Sequence, residues 1–217
     1  MSWEPIDAWE EAGTDAIYEQ VMGDPSVREQ FYQELYDEII RDFTDARLRS
    51  FYENHPDLAK PAETALADAK RLLGQDDTAA FLFGAIAAEV GLISTLLKPI
   101  VHGLVHAESA AALITRLAIR HNDENLTKIL LDLLADHGKV DPRHFKRSGS
   151  AQTLWEELSA VRTKRNAVVH RADRASHGDA ELAVSVAAAV LGDLFPTVVK
   201  NLGLHFHGST VCNVVHR

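Results

Sequence analysis

The chain contains little cysteine and no long apolar run, and each absence narrows what the protein can be. Its 217 residues include a single cysteine, Cys212, so an internal disulfide is excluded. No uninterrupted apolar stretch approaches the ~20 residues that a membrane-spanning helix needs. The N-terminal Met1-Ser-Trp-Glu-Pro lacks the basic and then apolar pattern of a secretory signal. These features predict a cytoplasmic protein that is not associated with a membrane.

Sequence motifs for phosphate loops and zinc sites are also missing. There is no Walker-type glycine loop and no dinucleotide fingerprint. His102 and His106 have helical spacing, but no third ligand follows at a zinc-site distance. Four further residues have suitable ligand chemistry but lie in a Gly- and Ser-containing tail without fixed geometry: His205, His207, Cys212 and His216. We therefore predict no cofactor and no metal, with a loosely docked C-terminus.

Charge is present in excess of one sign and is unevenly distributed. The net charge is -10, and residues 1–58 carry fifteen Asp and Glu against four Arg. The N-terminal part therefore has a net charge of -11, and the rest of the chain has a net charge of +1. One explanation is that these carboxylates form the solvated faces of amphipathic helices. The other is that an acidic layer restricts the approach of nucleic acid to the rest of the chain.

Apolar residues recur every three to four positions along most of the chain, and no stretch alternates convincingly as a strand does. This pattern, with 46% hydrophobic residues, predicts an all-α bundle. A break near residues 54–60 divides it into an acidic N-terminal helical segment (1–58) packed on a helical bundle (59–203), followed by a tail (204–217). One predicted helix begins after Ser26, and a second runs from Pro61 to about Gly74. Further helices are predicted over 77–97, 108–119, 124–137, 151–170 and 180–202.

The helix predicted over 77–97 has the composition of a central core helix. We expect its N-cap at Asp77 or Thr78 and a bend in the chain after Pro99. Glu89 falls on its apolar side, where an unpaired carboxylate is costly, so it should meet a cation or a backbone donor. That contact is either a structural pair with an arginine or a contact that positions Arg162 or Arg165. The residues expected on the buried side are Phe81, Leu82, Ala85, Ile86, Ile93 and Leu97.

The most informative stretch is a basic segment within the helix predicted over 151–170. No acidic residue occurs from Leu158 to Ala172. Arg162, Asn166 and His170 are spaced four apart and form one helical stripe, with Arg165 beside it. A guanidinium binds phosphate oxygens, an amide orients them, and an imidazole transfers a proton near neutral pH. These groups suit metal-free RNA cleavage, although an exposed basic turn that carries a histidine has the same spacing.

Arg165-Asn166-Ala-Val-Val-His170 resembles the Arg-Asn-x-x-x-His signature of HEPN domains, the helical domains named for higher eukaryotes and prokaryotes nucleotide binding. The resemblance covers approximately residues 77–203. It implies an all-α bundle that commonly dimerises into a composite RNA-cleaving site with Arg165, Asn166 and His170 as catalytic residues. Some members carry an acidic residue in the helix that corresponds to Glu89. A subgroup regulated by tyrosine modification has a tyrosine where this chain has Ala172.

Together, the residues and the resemblance predict a metal-independent endoribonuclease that cleaves single-stranded RNA as a homodimer. Many members of the family are toxins or antiviral defence effectors, so an antitoxin or regulatory protein is a possible partner. A non-catalytic helical adaptor that binds RNA, a nucleotide or a protein is the alternative. The basic residues between Lys139 and Ser150 either contact RNA or belong to an ordinary surface loop. Supporting or RNA-binding residues are Arg162, Lys164, Arg171 and Glu89.

Overall fold

The structure, a computed structural model, describes residues 25–42, 45–105, 110–111, 114, 124–207 and 210–213. Three predicted features therefore lie wholly or largely outside the described residues. These are the first 24 residues of the acidic N-terminal segment, most of the helix predicted over 108–119, and His216 of the tail.

The described part is almost entirely helical, which confirms the predicted all-α fold. In the described part, one regular element is not helical: a short antiparallel hairpin in which Phe206 is paired with Val211. The elements, in chain order, are α1 (Pro25–Asp42), α2 (Asp45–Asn54), α3 (Lys60–Leu72), α4 (Asp77–Gly91), a first π-helical segment (Leu92–Leu97), α5 (Lys98–Leu104), α6 (Glu124–Gly138), α7 (Leu154–Arg171), α8 (His177–Ala189), a second π-helical segment (Val190–Leu194), α9 (Phe195–Asn201), β1 (His205–His207) and β2 (Thr210–Cys212).

Two elements were not predicted, and both give weak sequence signals. Helix α2 is short and polar and buries only Leu48 and Tyr52, so its apolar periodicity is slight. The strands of the hairpin contain three residues each, which is too short for an alternating pattern to be recognised. Both elements nevertheless pack on the bundle, since Val211 is buried and its backbone N–H donates to the Pro56 carbonyl at 3.0 Å.

The start of α4 differs by one residue from the predicted cap. Asp76, and not Asp77 or Thr78, is the N-cap, and its side chain accepts from the Ala79 N–H at 3.0 Å. Asp77 instead accepts from the Gly74 N–H and contacts His177 of α8 at 2.9 Å, while Thr78 accepts from the Ala175 N–H. The residues next to the cap therefore connect α4 to the start of α8.

Proline changes the helical winding in both long apolar helices without ending them. The helix predicted to end at Leu97 continues past Pro99 through α5 to Leu104. Proline has no N–H for the carbonyl four residues earlier, and the preceding residue instead bonds five residues back, from Lys98 to the Ile93 carbonyl. Phe195, which precedes Pro196, bonds to Val190 in the same way. Each π-helical segment thus directly precedes a proline-containing helix.

The carbonyl of Thr95, four residues before Pro99, is satisfied from another part of the chain. The buried Tyr52 hydroxyl of α2 donates to it at 2.6 Å. Burial raises the pKa of the Tyr52 phenol well above its usual range, so Tyr52 acts as a donor at all ordinary pH values. Because α2 belongs to the N-terminal segment, this bond joins that segment to the centre of the bundle.

Helix α4 packs closely against α8 and also contacts α7. A Cβ added at Gly84 would lie 3.0 Å from the Ala183 Cβ, so the glycine permits the short distance between α4 and α8. Phe81 and Ala85 are buried as predicted. The prediction that Ile86 is buried is wrong, since 45% of its surface is exposed. The α8 contact occupies one side of α4, which leaves Ile86 on another side of the helix that the described part does not cover.

Two continuous helical stretches, 77–104 and 177–201, are long and apolar enough to cross a membrane by length and composition alone. In each, 56% of the apolar window is buried within the protein. The core helices of soluble proteins have the same character, so these stretches are weak evidence for a membrane span. The absence of membrane association and the cytoplasmic location remain predictions.

Candidate functional site

Helix α7 carries the basic segment on its last three turns. Its start is fixed by a capping box, in which Thr153 accepts from the Glu156 N–H and the Glu156 carboxylate accepts from the Thr153 N–H. Its end is fixed by Ala172, whose φ of 55° is left-handed and stops the helix directly after Arg171. The predicted helix over 151–170 is therefore confirmed with small shifts of its bounds.

Arg165 is held by two neighbours. Its Nη2 donates to Glu89 Oε2 at 2.8 Å, and its Nη1 donates to Asn166 Oδ1 at 3.0 Å. Arg165 and Glu89 are 33% and 30% exposed, so the pair is partly screened by solvent. The prediction that Glu89 meets a cation is confirmed, and the cation is Arg165. Since a guanidinium has five N–H donors, Arg165 keeps donors for a further ligand.

His170 lies one turn beyond Asn166 on α7 and is exposed. Within the described part of the chain, no hydrogen bond or ion pair involves its ring. Its axial separation from Arg165 is about 7.5 Å at the usual helical rise. Both ring nitrogens are therefore without a hydrogen-bond partner among the described residues.

The four supporting residues divide into two groups. Arg162 and Glu89 line a cavity together with Arg165. Lys164 and Arg171 border a shallow depression on another side of α7. Lys164 lies 3.4 Å from Asp179, and Arg171 lies 3.6 Å from Asp173. The structure thus brings Arg162 and Glu89 to Arg165 and places Lys164 and Arg171 beside acidic groups.

The cavity has a volume of about 470 Å³ and lies where α4 and the first π-helical segment meet α6 and α7. Among the described residues, the cations that line it are Lys128 of α6, Arg143 of the loop before α7, and Arg162 and Arg165 of α7. Its apolar lining includes Ile93, Leu97, Leu131, Trp155 and Leu158. Trp155 and Leu158 precede Arg162 by seven and four residues, a helical spacing that could have indicated a shared face. Lys128 and Arg143 come from other elements, and no sequence pattern predicts their convergence.

Arg143 is oriented by two carboxylates behind the cavity. It lies 2.7 Å from Asp132 and donates through Nε and Nη2 to Asp141 at 2.8 Å. Partial burial by itself raises the pKa of the Asp141 carboxyl, but hydrogen bonds from Arg143 and His144 outweigh it and hold that pKa at about 2. The hydrogen bonds that Arg143 donates to Asp141 and to Asp132 raise the pKa of Arg143. The guanidinium is therefore permanently charged and fixed in direction.

The loop before α7 is held in place by its own basic residues. Arg147 Nε donates to both oxygens of Glu157, at 3.0 and 2.8 Å, and Ser150 Oγ donates to the same carboxylate at 2.7 Å. Glu157 is only 2% exposed, so this is a buried ion pair. Lys146 donates to the Ala151 carbonyl. These intramolecular partners favour the structural alternative for the loop over direct contact with RNA.

Three of the four tail residues with ligand chemistry, His205, His207 and Cys212, lie on the hairpin, and His216 is outside the described residues. His205 and Cys212 are opposite each other in the two strands. Among the described residues, no group of three or more His, Cys, Asp or Glu side chains is placed to hold a metal ion. The hairpin therefore gives this part of the tail a structural explanation, which is the packing of Val211 and Phe206 on the bundle.

The arrangement on α7 can bind and polarise an anion. It combines a guanidinium held by Glu89, an amide in contact with that guanidinium, and an exposed imidazole on the next turn. A phosphate diester offers the negative charge for the first group and a neighbouring hydroxyl proton for the last. No family model, no curated protein and no solved structure matches this chain.

Proposed function

We propose that the protein is a metal-independent endoribonuclease of the HEPN type that cleaves single-stranded RNA. The observation that carries this proposal is the Glu89–Arg165–Asn166 chain of contacts, which fixes a guanidinium on the same helix as the exposed His170, five residues before it. A prealigned cation stabilises charge that develops on a phosphate without first having to reorganise. The resemblance of the Arg165–His170 segment to the HEPN signature supports the same function.

In this mechanism the ribose 2′-hydroxyl attacks the adjacent phosphorus. His170 accepts the 2′-hydroxyl proton, the new O2′–P bond forms, and the P–O5′ bond breaks. Arg165 neutralises the charge on the phosphoryl oxygens, and Asn166 orients the guanidinium or a phosphate oxygen. A second imidazole, supplied by His170 of another copy of the chain, donates the proton to the leaving 5′-oxygen. The products are a 2′,3′-cyclic phosphate and a 5′-hydroxyl.

We propose that two copies meet through an apolar patch next to Arg165. The patch consists of Phe83 (37% exposed), Ile86 (45%) and Val169 (55%). Ile86 precedes Glu89 by three residues and Val169 follows Arg165 by four, so each lies one helical turn from the Glu89–Arg165 pair. Large exposed apolar side chains that cluster on a surface often mark an interface. A homodimer formed here would bring two copies of His170 close together.

Replacing Ile86 by lysine is expected to shift the protein from dimer to monomer, because the charge would have to be desolvated at the interface. Analytical ultracentrifugation at micromolar concentrations measures this shift. Val27 of α1 is also 45% exposed, so Val27→Lys is a matched control that should leave the dimer intact. A wild-type protein that is monomeric at these concentrations and still cleaves RNA would contradict the composite site.

The wild-type protein is expected to cleave labelled single-stranded RNA in EDTA and to leave 2′,3′-cyclic phosphate ends. Glu89→Gln should reduce the rate roughly 10-fold, since a neutral amide holds the Arg165 guanidinium less firmly. Glu53→Gln is the control: Glu53 is also 30% exposed and pairs with Arg49 at 3.0 Å, away from α7. Cleavage that stops in EDTA and returns with a divalent cation would contradict the mechanism.

A non-catalytic adaptor is the second candidate, and one observation favours it. Three of the basic side chains on α7 near the motif, Lys164, Arg165 and Arg171, already have carboxylate partners within 3.6 Å. With a net charge of -10, such a protein suits a protein partner better than a long nucleic acid. Binding of RNA or of a protein without cleavage, across several RNAs, would favour this function. An antitoxin or regulator that covers His170 is a compatible partner in either case.

A further inference from the structure

We propose that Asp77 and His177 form a pH-sensitive clasp that holds the turn after His170 against the start of α4. The turn comprises residues 172–176 and joins α7 to α8. The clasp itself does not depend on RNA cleavage, because it is a contact between two parts of the chain. Its effect on His170 rests on the proposed ribonuclease function.

Both ends of the turn are fixed by local backbone structure. Ala172 has a φ of 55° and stops α7 directly after Arg171. Ser176 caps α8 in a capping box: its hydroxyl accepts from the Asp179 N–H, and its own N–H donates to the Asp179 carboxylate at 2.8 Å. These contacts lie within the turn and α8, so they do not fix the position of the turn relative to α4.

Adjacent residues of α4 hold the turn to that helix. The Ala175 N–H donates to Thr78 Oγ1 at 3.3 Å, and Ala175 is only 9% exposed. His177 Nδ1 lies 2.9 Å from Asp77 Oδ1, although the two residues are 100 positions apart in the chain. The same Asp77 oxygen accepts from the Gly74 N–H at 3.0 Å. The carboxylate is therefore oriented by the backbone, and the protonation of the imidazole decides how firmly the two helices are joined here.

The imidazole of His177 lies between two carboxylates. Its Nδ1 faces Asp77, and its Nε2 is 3.4 Å from Glu181 Oε1, one turn further along α8. Ionised carboxylates only accept hydrogen bonds, so both contacts are satisfied when both ring nitrogens carry a proton. A neutral ring has one N–H and turns a lone pair toward one of the carboxylates. Among the described residues, Asp77 of α4 and Glu181 of α8 are the charged groups that face the ring, while Lys164 of α7 pairs with Asp179 at 3.4 Å.

The pH range in which the clasp is closed follows from the protonation of its two members. The hydrogen bond to Asp77, and then the charge of Asp77, raise the pKa of His177 above its ordinary value. The contribution of His177 to stability is therefore fully present below about pH 6.5, the ordinary histidine pKa, and is lost as the pH rises through the raised pKa. The hydrogen bonds from His177 and from the Gly74 N–H lower the pKa of Asp77, so its contribution is lost only in acid, as the pH falls through that lowered pKa. The clasp is thus closed in mildly acidic solution and opens in alkaline solution.

Opening of the clasp affects the end of α7. His170 and Arg171 are the last two residues before the turn. If the ribonuclease function holds, an open clasp lets this end fray and slows proton transfer by His170. Asp77 and His177 are then positioning residues, because they act through the turn and not on the RNA. His177 is 54% exposed and Asp77 29%, so solvent screens the pair and the expected effects are severalfold at most.

Solvent-exchange NMR of the full chain without RNA tests the clasp, with the Ala175 N–H as the reporter. In the wild type, its protection, corrected for the intrinsic pH dependence of exchange, should be about 3-fold higher at about pH 5.5 than at about pH 9. His177→Gln should show the lower protection at both pH values. The matched control is His144→Gln: His144 Nδ1 also lies 2.9 Å from a carboxylate, that of Asp141, but the two residues are only three positions apart. This control should behave as the wild type.

The rate of RNA cleavage tests the effect on His170. The ratio of the wild-type rate to the His177→Gln rate should be about 3 at about pH 5.5 and approach 1 at about pH 9. Taking the ratio removes every pH effect that the two proteins share. A substitution that only destabilised the fold would give the same ratio at both pH values.

Two results would overturn the proposal. The same pH dependence of Ala175 protection in the wild type and in His177→Gln would remove the clasp. A rate ratio that stays constant with pH, although Ala175 protection changes, would remove its effect on His170. If the protein cleaves no RNA, the exchange measurement still decides whether the clasp exists, so the two failures are distinguishable. Asp77→Asn keeps an oxygen for the Gly74 N–H but removes the charge, and it should lower Ala175 protection and flatten its pH dependence as His177→Gln does.

Discussion

His170→Ala is expected to cleave single-stranded RNA at least about 100-fold more slowly than the wild type, the lower end of what a general base or acid contributes. The side chain is exposed, and within the described residues it has no hydrogen bond or ion pair, so its removal leaves no buried group unsatisfied. Folding should therefore be unchanged, and the loss should appear in the rate of bond cleavage. Gel analysis of end-labelled RNA in EDTA, with enzyme in excess, measures that rate.

A matched control for this variant is His205→Ala. His205 is another exposed histidine, placed on strand β1 and not on α7. Its removal should leave the cleavage rate within about twofold of the wild type, because surface substitutions away from a site have small effects. Equal rates for the wild type and His170→Ala, with a common folded and oligomeric state, would remove His170 from the mechanism. A contaminating ribonuclease would give the same equality, so both proteins are purified in parallel with a chain that lacks Arg165 and His170.

Arg147→Ala is expected to lower the free energy of unfolding by about 3 kcal/mol, because breaking a buried ion pair leaves an uncompensated charge. The charge in question is Glu157, which is 2% exposed and would keep, among the described residues, only the Ser150 hydroxyl as a side-chain donor. Urea denaturation followed by circular dichroism measures the change. Arg49→Ala removes an arginine from the exposed Arg49–Glu53 pair and should cost less than about 1 kcal/mol.

A double variant distinguishes the cost of the unpaired charge from the value of the pair. Arg147→Met combined with Glu157→Leu replaces both charges by apolar groups of similar size, and such replacements of buried pairs are often neutral or stabilising. We therefore expect the double variant to regain most of the stability that Arg147→Ala loses. A double variant as unstable as Arg147→Ala would show that the pair itself, and the loop geometry it fixes, contributes the stability.

The sequence predicted the parts of the fold that depend on local periodicity. Helices α3, α6 and α7 lie close to their predicted bounds because turn residues and apolar periodicity mark them, as Pro61 marks the first turn of α3. The sequence also predicted that Glu89 needs a cation, since a carboxylate on an apolar face is costly wherever the helix is placed. That prediction required no knowledge of the partner.

What the sequence did not predict depends on contacts between distant segments. Ile86 follows the apolar stripe of α4, but it is exposed because α8 packs on a different side of the helix at Gly84. Pro99 signals a break in any single-helix pattern, yet the donor that satisfies the Thr95 carbonyl comes from Tyr52, 43 residues earlier. Lys128 and Arg143 reach one cavity from different elements, and their spacing carries no period.

The Tyr52 hydroxyl affects whether the helical bundle can fold without the N-terminal segment. A shorter chain that starts at residue 59 would keep every helix from α3 onward but would lose the donor to the Thr95 carbonyl and the fully buried Leu48 and Tyr52 side chains. An unsatisfied buried carbonyl costs about 1–3 kcal/mol, before the loss of packing is added. The bundle from residue 59 onward is thus completed by α2, which precedes it, and a chain that starts at residue 59 would lack part of the bundle's interior.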